Sequence, residues 1–393
     1  MFFKRLEAIK EIEVADYDLS LIDEQKRLLY NVSFYTNTEK ETRYSLLTGV
    51  TKTSWDPNSL NYNEVFDFRY NCVKLAENLA KNNEITVFAS PSLHSFPWTS
   101  SLSNPQYLYV NNYLNRQHNV TFCLNLRSLK AAKLNSKKTI YLPHETKITV
   151  EKDSTKGSYV NPEIEKYIDH IVWFSEEQRE LSPALSDINF DVMRVPFELH
   201  KEEIEQNKEK RRKKYSCLYI GEPDEKLDFL LECWQKIKEK EERATLKVLE
   251  LEKQDPTTYK RNISDLIEDY EDMEGVEVVS SVDLNEISYF LYPASEEMPS
   301  EAYFNNILRV QECGCIPITT DYTELKEEVC PCSYIIKSKD LTKEDYVEIV
   351  HTAFENDEKK EENKKEIREE IKEFVKGKER SWEEFCSKLS YIC

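Results

Sequence analysis

Glycine is nearly absent, with 6 residues in 393 against a usual share of about 7%. That scarcity leaves neither a Walker loop nor a complete G-x-G-x-x-G anywhere in the chain, so nucleotide binding through glycine-rich phosphate loops is excluded. No Gly-x-Ser-x-Gly elbow exists either, which removes the common hydrolase arrangement. Histidine is equally sparse at 6 residues, in no metal-like or triad-like spacing. Positive charge is in deficit, with 54 Lys plus Arg against 74 Asp plus Glu, a formal charge of −20. A chain so acidic is repelled by a phosphate backbone, which disfavours general nucleic-acid binding and docking to anionic membranes. No apolar run approaches the roughly 18 residues that cross a bilayer. The opening Met1-Phe2-Phe3-Lys4-Arg5 turns charged at once, unlike a signal peptide. These absences predict a soluble, cytoplasmic protein with reduced thiols.

What is present suits a folded protein. Hydrophobic residues make up 39% and aromatics 11%, enough to build cores despite the charge. At about 150 residues per domain the length predicts two domains. Of 10 cysteines, Cys313/Cys315 and Cys330/Cys332 form two C-x-C pairs. Neither has zinc-finger spacing, and they read as small buried hydrophobes. The single Asp-x-Asp, Asp16-Tyr17-Asp18, reads as a solvated turn near the N-terminus. No bound metal or other cofactor is expected.

Along the chain, short apolar runs alternate with amphipathic stretches, the pattern of an α/β sheet with crossover helices. Phe68, Cys72, Leu75, Ala76 and Leu79 fall at helical spacing, and a buried strand is predicted directly after them at 85–89. Further strands are predicted at 139–142, 171–174 and 192–195. Ser175 and Gln178 form a capping box that starts a helix after the third of these. Residues 200–214 are almost wholly charged and read as a linker whose basic end forms a solvated boundary helix. Beyond it the alternation resumes, with strands at 216–220, 245–251, 276–279, 289–292 and 316–318. Helices are predicted at 224–240, 260–272, 301–313 and 322–329, and from 340 onward. The expected fold is α/β: two doubly wound Rossmann-like domains facing a cleft, over 1–200 and 201–380. Residues 381–393 form a C-terminal helix that returns to the first domain. Ligands of such folds bind at the carboxyl ends of strands, where helix N-termini point their dipoles.

The stretch from Leu291 to Thr320 combines a Tyr-Pro, a loop ending in Glu301, an amphipathic helix, and the turn Cys313-Gly314-Cys315-Ile316-Pro317-Ile318. In register, these elements resemble the donor-binding segment of glycosyltransferase family four, nucleotide-sugar enzymes of the two-domain GT-B fold. The likeness extends to Tyr219-Ile220-Gly221-Glu222-Pro223, similar to the first strand and turn of the family's donor domain. It also covers Tyr141-Leu142-Pro143-His144, the 168–179 strand and capped helix, and Ser381-Trp382-Glu383-Glu384-Phe385, similar to its last helix.

The resemblance implies a metal-independent transferase, retaining as in that family, that takes a UDP- or GDP-linked sugar and a glycan or other hydroxyl acceptor. Glu301 would hold the donor sugar and His144 would serve the acceptor side, as the catalytic pair. The diphosphate would lie on backbone amides of Ala302, Tyr303, Phe304, Asn305 and Asn306, close to Gly221 and Lys226. An acidic protein can then bind an anionic donor with few basic side chains. Four contact positions depart from the family's pattern. Phe66-Asp67-Phe68-Arg69 stands where a glycine-rich loop is usual, Glu225-Lys226 replaces an Arg-Gly, and Val279-Ser280-Ser281 replaces a His-Gly-Arg type segment. Arg309 replaces the second Glu of the Glu-x7-Glu motif, leaving Glu312, on nearly the same helix face, as a substitute acceptor for ribose hydroxyls. Two readings stay open: donor binding rerouted through Lys226, Arg309 and Glu312, or an inactive fold kept as a scaffold or partner-binding subunit.

Overall fold

The computed structural model describes residues 42–47, 68–89, 105–109, 113–114, 117–124, 126–143, 164–199, 212–221, 225–250, 273–279, 281–295, 305–322, 325–359 and 361–393. In chain order the first part comprises β1 (Thr42–Leu47), α1 (Phe68–Ala80), β2 (Ile85–Ala89), β3 (Gln106–Tyr109), β4 (His118–Cys123), α2 (Leu129–Asn135), β5 (Ser136–Tyr141), β6 (His170–Trp173), α3 (Glu176–Glu180) and β7 (Phe190–Val192). Among the described residues these strands form one sheet in the order β3-β2-β1-β4-β5-β6-β7, and every pairing is parallel.

The period-2 geometry of a strand sends neighbouring side chains to opposite faces. Val87, Phe122, Ile140 and Val172 accordingly pack on one side with α1, while Phe88, Cys123, Tyr141 and Trp173 pack on the other. The centre of this sheet also carries buried polar groups. Ser45 Oγ lies 2.7 Å from His118 Nδ1, and Tyr113 Oη lies 2.7 Å from Thr121 Oγ1. His118 Nε2 lies 2.9 Å from the Tyr113 carbonyl, and its ring stacks on Tyr113. With partners in place, these groups sit in the core without the cost of an unmet hydrogen bond. Ser175 Oγ accepts from the Gln178 amide as the predicted cap. Gln178 reaches further than the cap requires, bonding the Phe174 amide and the Pro143 carbonyl.

The second part comprises β8 (Ser216–Gly221), α4 (Glu225–Lys240), β9 (Thr245–Glu250), β10 (Val276–Val279), β11 (Tyr289–Tyr292), α5 (Asn305–Glu312), β12 (Ile316–Thr320), α6 (Leu325–Glu328), β13 (Tyr334–Ile336), α7 (Lys343–Lys359), α8 (Glu361–Lys376) and α9 (Trp382–Ile392). Its strands run β10-β9-β8-β11-β12-β13, again all parallel. On α4, Leu227, Leu230, Leu231, Trp234 and Ile237 recur at helical spacing and are buried in one core with the strands. Gly314 follows α5 at φ 76°, the left-handed conformation that closes a helix, and Cys315 N then bonds the Val310 carbonyl at 3.0 Å. The predicted strand at 192–195 starts two residues earlier and ends three residues earlier, at Phe190–Val192, because the chain turns away there toward the second sheet. The predicted helix at 260–272 lies outside the described residues. Arg212, expected on a solvated boundary, is docked instead. Its guanidinium donates to the carbonyls of Leu284 (3.0 Å), Ile287 and Cys313.

Two chain segments cross between the sheets, and they pair with each other. Phe197 and Arg380 exchange both backbone hydrogen bonds, at 2.9 and 2.8 Å. Phe197 is fully buried in the second core. Past Arg380 the chain enters α9, whose Trp382, Phe385, Cys386 and Leu389 form one face buried in the first core. The carboxylate of Glu328 on α6 holds both crossings. Its Oε1 accepts from Arg380 at 3.0 Å and from Arg194 at 3.5 Å, while Arg194 also pairs with Glu327. Its second oxygen, Oε2, is buried with no hydrogen-bond partner among the described residues.

Removing this carboxylate takes the shared acceptor from two guanidinium groups. Because both arginines are partly exposed, the expected cost of Glu328→Ala is about 1–3 kcal/mol in urea unfolding. The exposed pair Lys388–Glu384 serves as contrast: Lys388→Ala should change stability by less than about 0.5 kcal/mol.

Candidate functional site

In both sheets the strand order reverses beside the strand that comes first in the chain, between β1 and β4 and again between β8 and β11. Doubly wound sheets open a crevice at the carboxyl ends of the strands at such a reversal, and ligands bind there. In the second sheet the crevice is bordered by Gly221 at the end of β8, Tyr292 at the end of β11, and the first turn of α4.

Local packing explains each of these residues. A Cβ on Gly221 would stand 2.7 Å from Tyr219 Oη, so the tyrosine ring lies under the strand exit only because the side chain is missing. Tyr219 stacks on Tyr292 with centroids 6.1 Å apart, and Tyr292 stacks on Phe290 at 5.7 Å. Lys226, in the first turn of α4, is 4% exposed, and its Nζ lies 5.8 Å from the centre of the Tyr292 ring. An ammonium is costly to bury, and an aromatic face offsets part of that cost. The hydroxyls of Thr319 and Thr320 bond the carbonyls of Tyr292 and Ala294, both at 2.6 Å, which fixes the exit of β11. Gly221 and Lys226 are thus brought together around Tyr292 at the switch point.

The α5 residues have different partners. Arg309 and Glu312, both buried, are paired at 2.7 Å. The Arg309 guanidinium lies over the Phe197 ring, 4.4 Å from its centre, and its Nε has no hydrogen-bond partner among the described residues. Asn305 donates from Nδ2 to the Pro196 carbonyl at 2.9 Å, and Asn306 is half-buried beside it. This face of α5 grips the crossing segment. Tyr70 on α1 feels the same charge: burial raises its phenol pKa, while Lys74 and Arg309 draw it down. Glu301, Ala302, Tyr303, Phe304 and His144 lie outside the described residues, as do Asp16 and Asp18. The chain just before His144 is held by the bond from Gln178 to the Pro143 carbonyl.

At the corresponding edge of the first sheet, a small apolar cavity opens between α1 and the ends of β4, β5 and β6. Asn71, Cys72, Leu75, Leu124, Leu142 and Phe174 line it, and α9 covers it with Trp382 and Phe385. Sequence reasoning missed the roles of Phe197, Glu328, Arg194 and Arg380. Each acts through a partner more than fifty residues away, for which a single sequence holds no signal. Tyr292 was within reach, since it stands in the Tyr-Pro of the quoted segment.

No family model and no curated protein matches the chain. Solved structures do. Sucrose-phosphate synthase from Thermosynechococcus elongatus is similar over 89% of this chain and 98% of its own, with 12% identity and a TM-score of 0.58. HepE of Anabaena, solved in complex with UDP-glucose, is similar over 89% of this chain and 100% of its own, with 8% identity and a TM-score of 0.59. TarM is similar over 72% of this chain, with 14% identity and a TM-score of 0.51. The chain spans about half of TarM's length, 55%. The two parallel sheets with interleaved helices are the GT-B fold.

The buried pair on α5 yields a stability prediction. Arg309→Ala removes the guanidinium paired with the buried Glu312 carboxylate, and removing one partner of a buried pair costs about 3–5 kcal/mol. Replacing both, as Arg309→Met with Glu312→Gln, should recover most of that loss in the same urea titration.

Proposed function

We propose that this chain transfers a glycosyl group from a UDP- or GDP-linked sugar to a hydroxyl acceptor such as a glycan. The observation that carries the proposal is the buried Lys226 ammonium at the switch point of the second sheet, within a GT-B frame matched over nearly the whole chain. The site favours a diphosphate for a simple reason: a cation held away from water interacts strongly with an incoming anion and needs little reorganisation. That HepE was solved with UDP-glucose supports a nucleotide sugar as the donor.

In this scheme Gly221 lets the diphosphate approach the backbone, and Lys226 neutralises part of its charge. Backbone amides of 302–306 supply further donors, so no metal ion is required. Glu301 accepts hydroxyls of the donor sugar, His144 contacts the acceptor, and transfer proceeds with retention, as the resemblance to family four implies. The acceptor enters from the first sheet.

One observation favours a second reading, an inactive scaffold of the same fold. Arg309 and Glu312, the groups that would have to replace the family's ribose-binding carboxylate, are bound to each other and to the crossing.

Ligand binding separates the two. A panel of UDP and GDP sugars at 100 times Kd should stabilise the chain by about 2.7 kcal/mol in thermal melting. Lys226→Met, which keeps the buried stem, should weaken binding by about 1.5–3 kcal/mol, roughly 10- to 150-fold in Kd by calorimetry. If no nucleotide sugar shifts the melting curve at millimolar concentration, the scaffold reading stands.

A further inference from the structure

One of the two C-x-C pairs is arranged for chemistry. Cys330-Pro331-Cys332 follows α6, and the two sulfurs lie 2.8 Å apart. That is closer than the roughly 3.5–4.0 Å at which non-bonded heavy atoms reach their optimum, and it approaches the bond length of about 2.05 Å in a disulfide. Two thiolates on one tetrahedral zinc would be about 3.8 Å apart, given Zn–S bonds of about 2.3 Å. Cys330 is 1% exposed, while Cys332 is half-buried, so one sulfur can be reached from outside and the other stands behind it. The intervening proline has a fixed φ and restricts how far the two can separate. A carboxylate oxygen of Glu370 on α8 lies within 4.8 Å of both sulfurs and can accept a proton. The other pair differs: Cys315 is fully buried and its Sγ–H donates to the carbonyls of Leu284 at 3.4 Å and Ile287 at 3.5 Å.

We propose that Cys330 and Cys332 are a covalent modification site, a dithiol that low-molecular-weight disulfides convert to an intrachain disulfide. The Cys332 thiolate attacks one sulfur of the reagent RSSR, a Cys332–SR bond forms, and RS⁻ departs and takes up the proton that Cys332 gave up. The Cys330 sulfur then attacks the Cys332 sulfur, giving its own proton to Glu370 and from there to the second departing RS⁻. Two protein thiols are oxidised and one reagent disulfide is reduced to two thiols, so no further oxidant is needed. Burial, together with Cys330 and Glu370, holds the Cys332 thiol above the ordinary thiol range. Exchange is therefore slow at neutral pH and the pair persists as a dithiol until the reagent is in excess. The site adjoins the inter-sheet clamp. The Cys330 amide donates to Gln311 Oε1, and Gln311 Nε2 donates to the Glu328 carbonyl, both at 2.8 Å.

The test is mass spectrometry on the folded full chain after incubation with oxidised glutathione, acid quenching, denaturation, alkylation of free thiols and trypsin digestion. Cleavage after Lys326 and Lys337 isolates Cys330 and Cys332 in peptide 327–337, and Cys313 and Cys315 fall in peptide 310–326. Peptide 327–337 should appear lighter by two hydrogens with no alkyl group, while peptide 310–326 carries two. In Cys330→Ser the exchange should stop at its first step, leaving a glutathione adduct on Cys332 that the wild type does not accumulate. Alkylation of both thiols of 327–337 to the same extent as those of 310–326 overturns the proposal. So does a zinc ion retained by the wild type in native mass spectrometry and lost in Cys330→Ser, which would make the pair a metal site.

Discussion

The fold depends on how Phe197 is held where the chain passes from one sheet to the other. The ring sits fully buried in the second core, with the Arg309 guanidinium against its face, and its backbone is paired with Arg380 on the returning strand. Both crossings are therefore locked to each other and to the second sheet. α9, which follows the returning strand, is locked to the first sheet by its buried Trp382, Phe385, Cys386 and Leu389. The relation between the sheets is set by hydrogen bonds and packing at one narrow junction, with the Glu328 carboxylate as its shared acceptor. A change at any member reaches the others, because both arginines share the one buried Glu328 carboxylate.

This junction bears directly on the donor site. α5 contributes to both: its starting residues border the region where the diphosphate is proposed to lie, and its Asn305, Arg309 and Glu312 side chains bind the crossing or each other. Positions that a donor-binding helix would turn toward the nucleotide are engaged in holding the sheets. Lys226 lies against Tyr292 at the strand exits. The net charge of −20 makes a local cation of this kind all the more necessary for an anionic donor, since the field of the whole molecule opposes its approach.

Much of this was legible in the sequence, and the failures have physical causes. Strands buried on both faces read as apolar runs, so Ile85–Ala89 and Tyr289–Tyr292 are found where the sequence sets them, as is the more exposed edge strand Val276–Val279. β1 and β4, at the centre of the first sheet, escape that rule. Ser45, His118 and Thr121 interrupt their apolar pattern and are buried only because they bond one another and Tyr113, a pairing invisible until the strands are adjacent. Arg212 misled for the same reason. In a run of charge it reads as solvated, yet three carbonyls from distant turns collect around it. For the site, the resemblance to the family named Gly221 and Lys226 as donor-side candidates. The engagement of Arg309 by Phe197 could not be foreseen, since it joins residues 112 positions apart by number.

Hydrogen exchange followed by mass spectrometry, on the full chain with and without the nucleotide sugar that gives the largest melting shift, tests the central claim most directly. The account predicts slowed exchange in peptides spanning 216–231 and 301–312, where Gly221, Lys226 and the start of α5 surround the proposed diphosphate. Protection confined to the first sheet, or no protection at a saturating concentration, would contradict it.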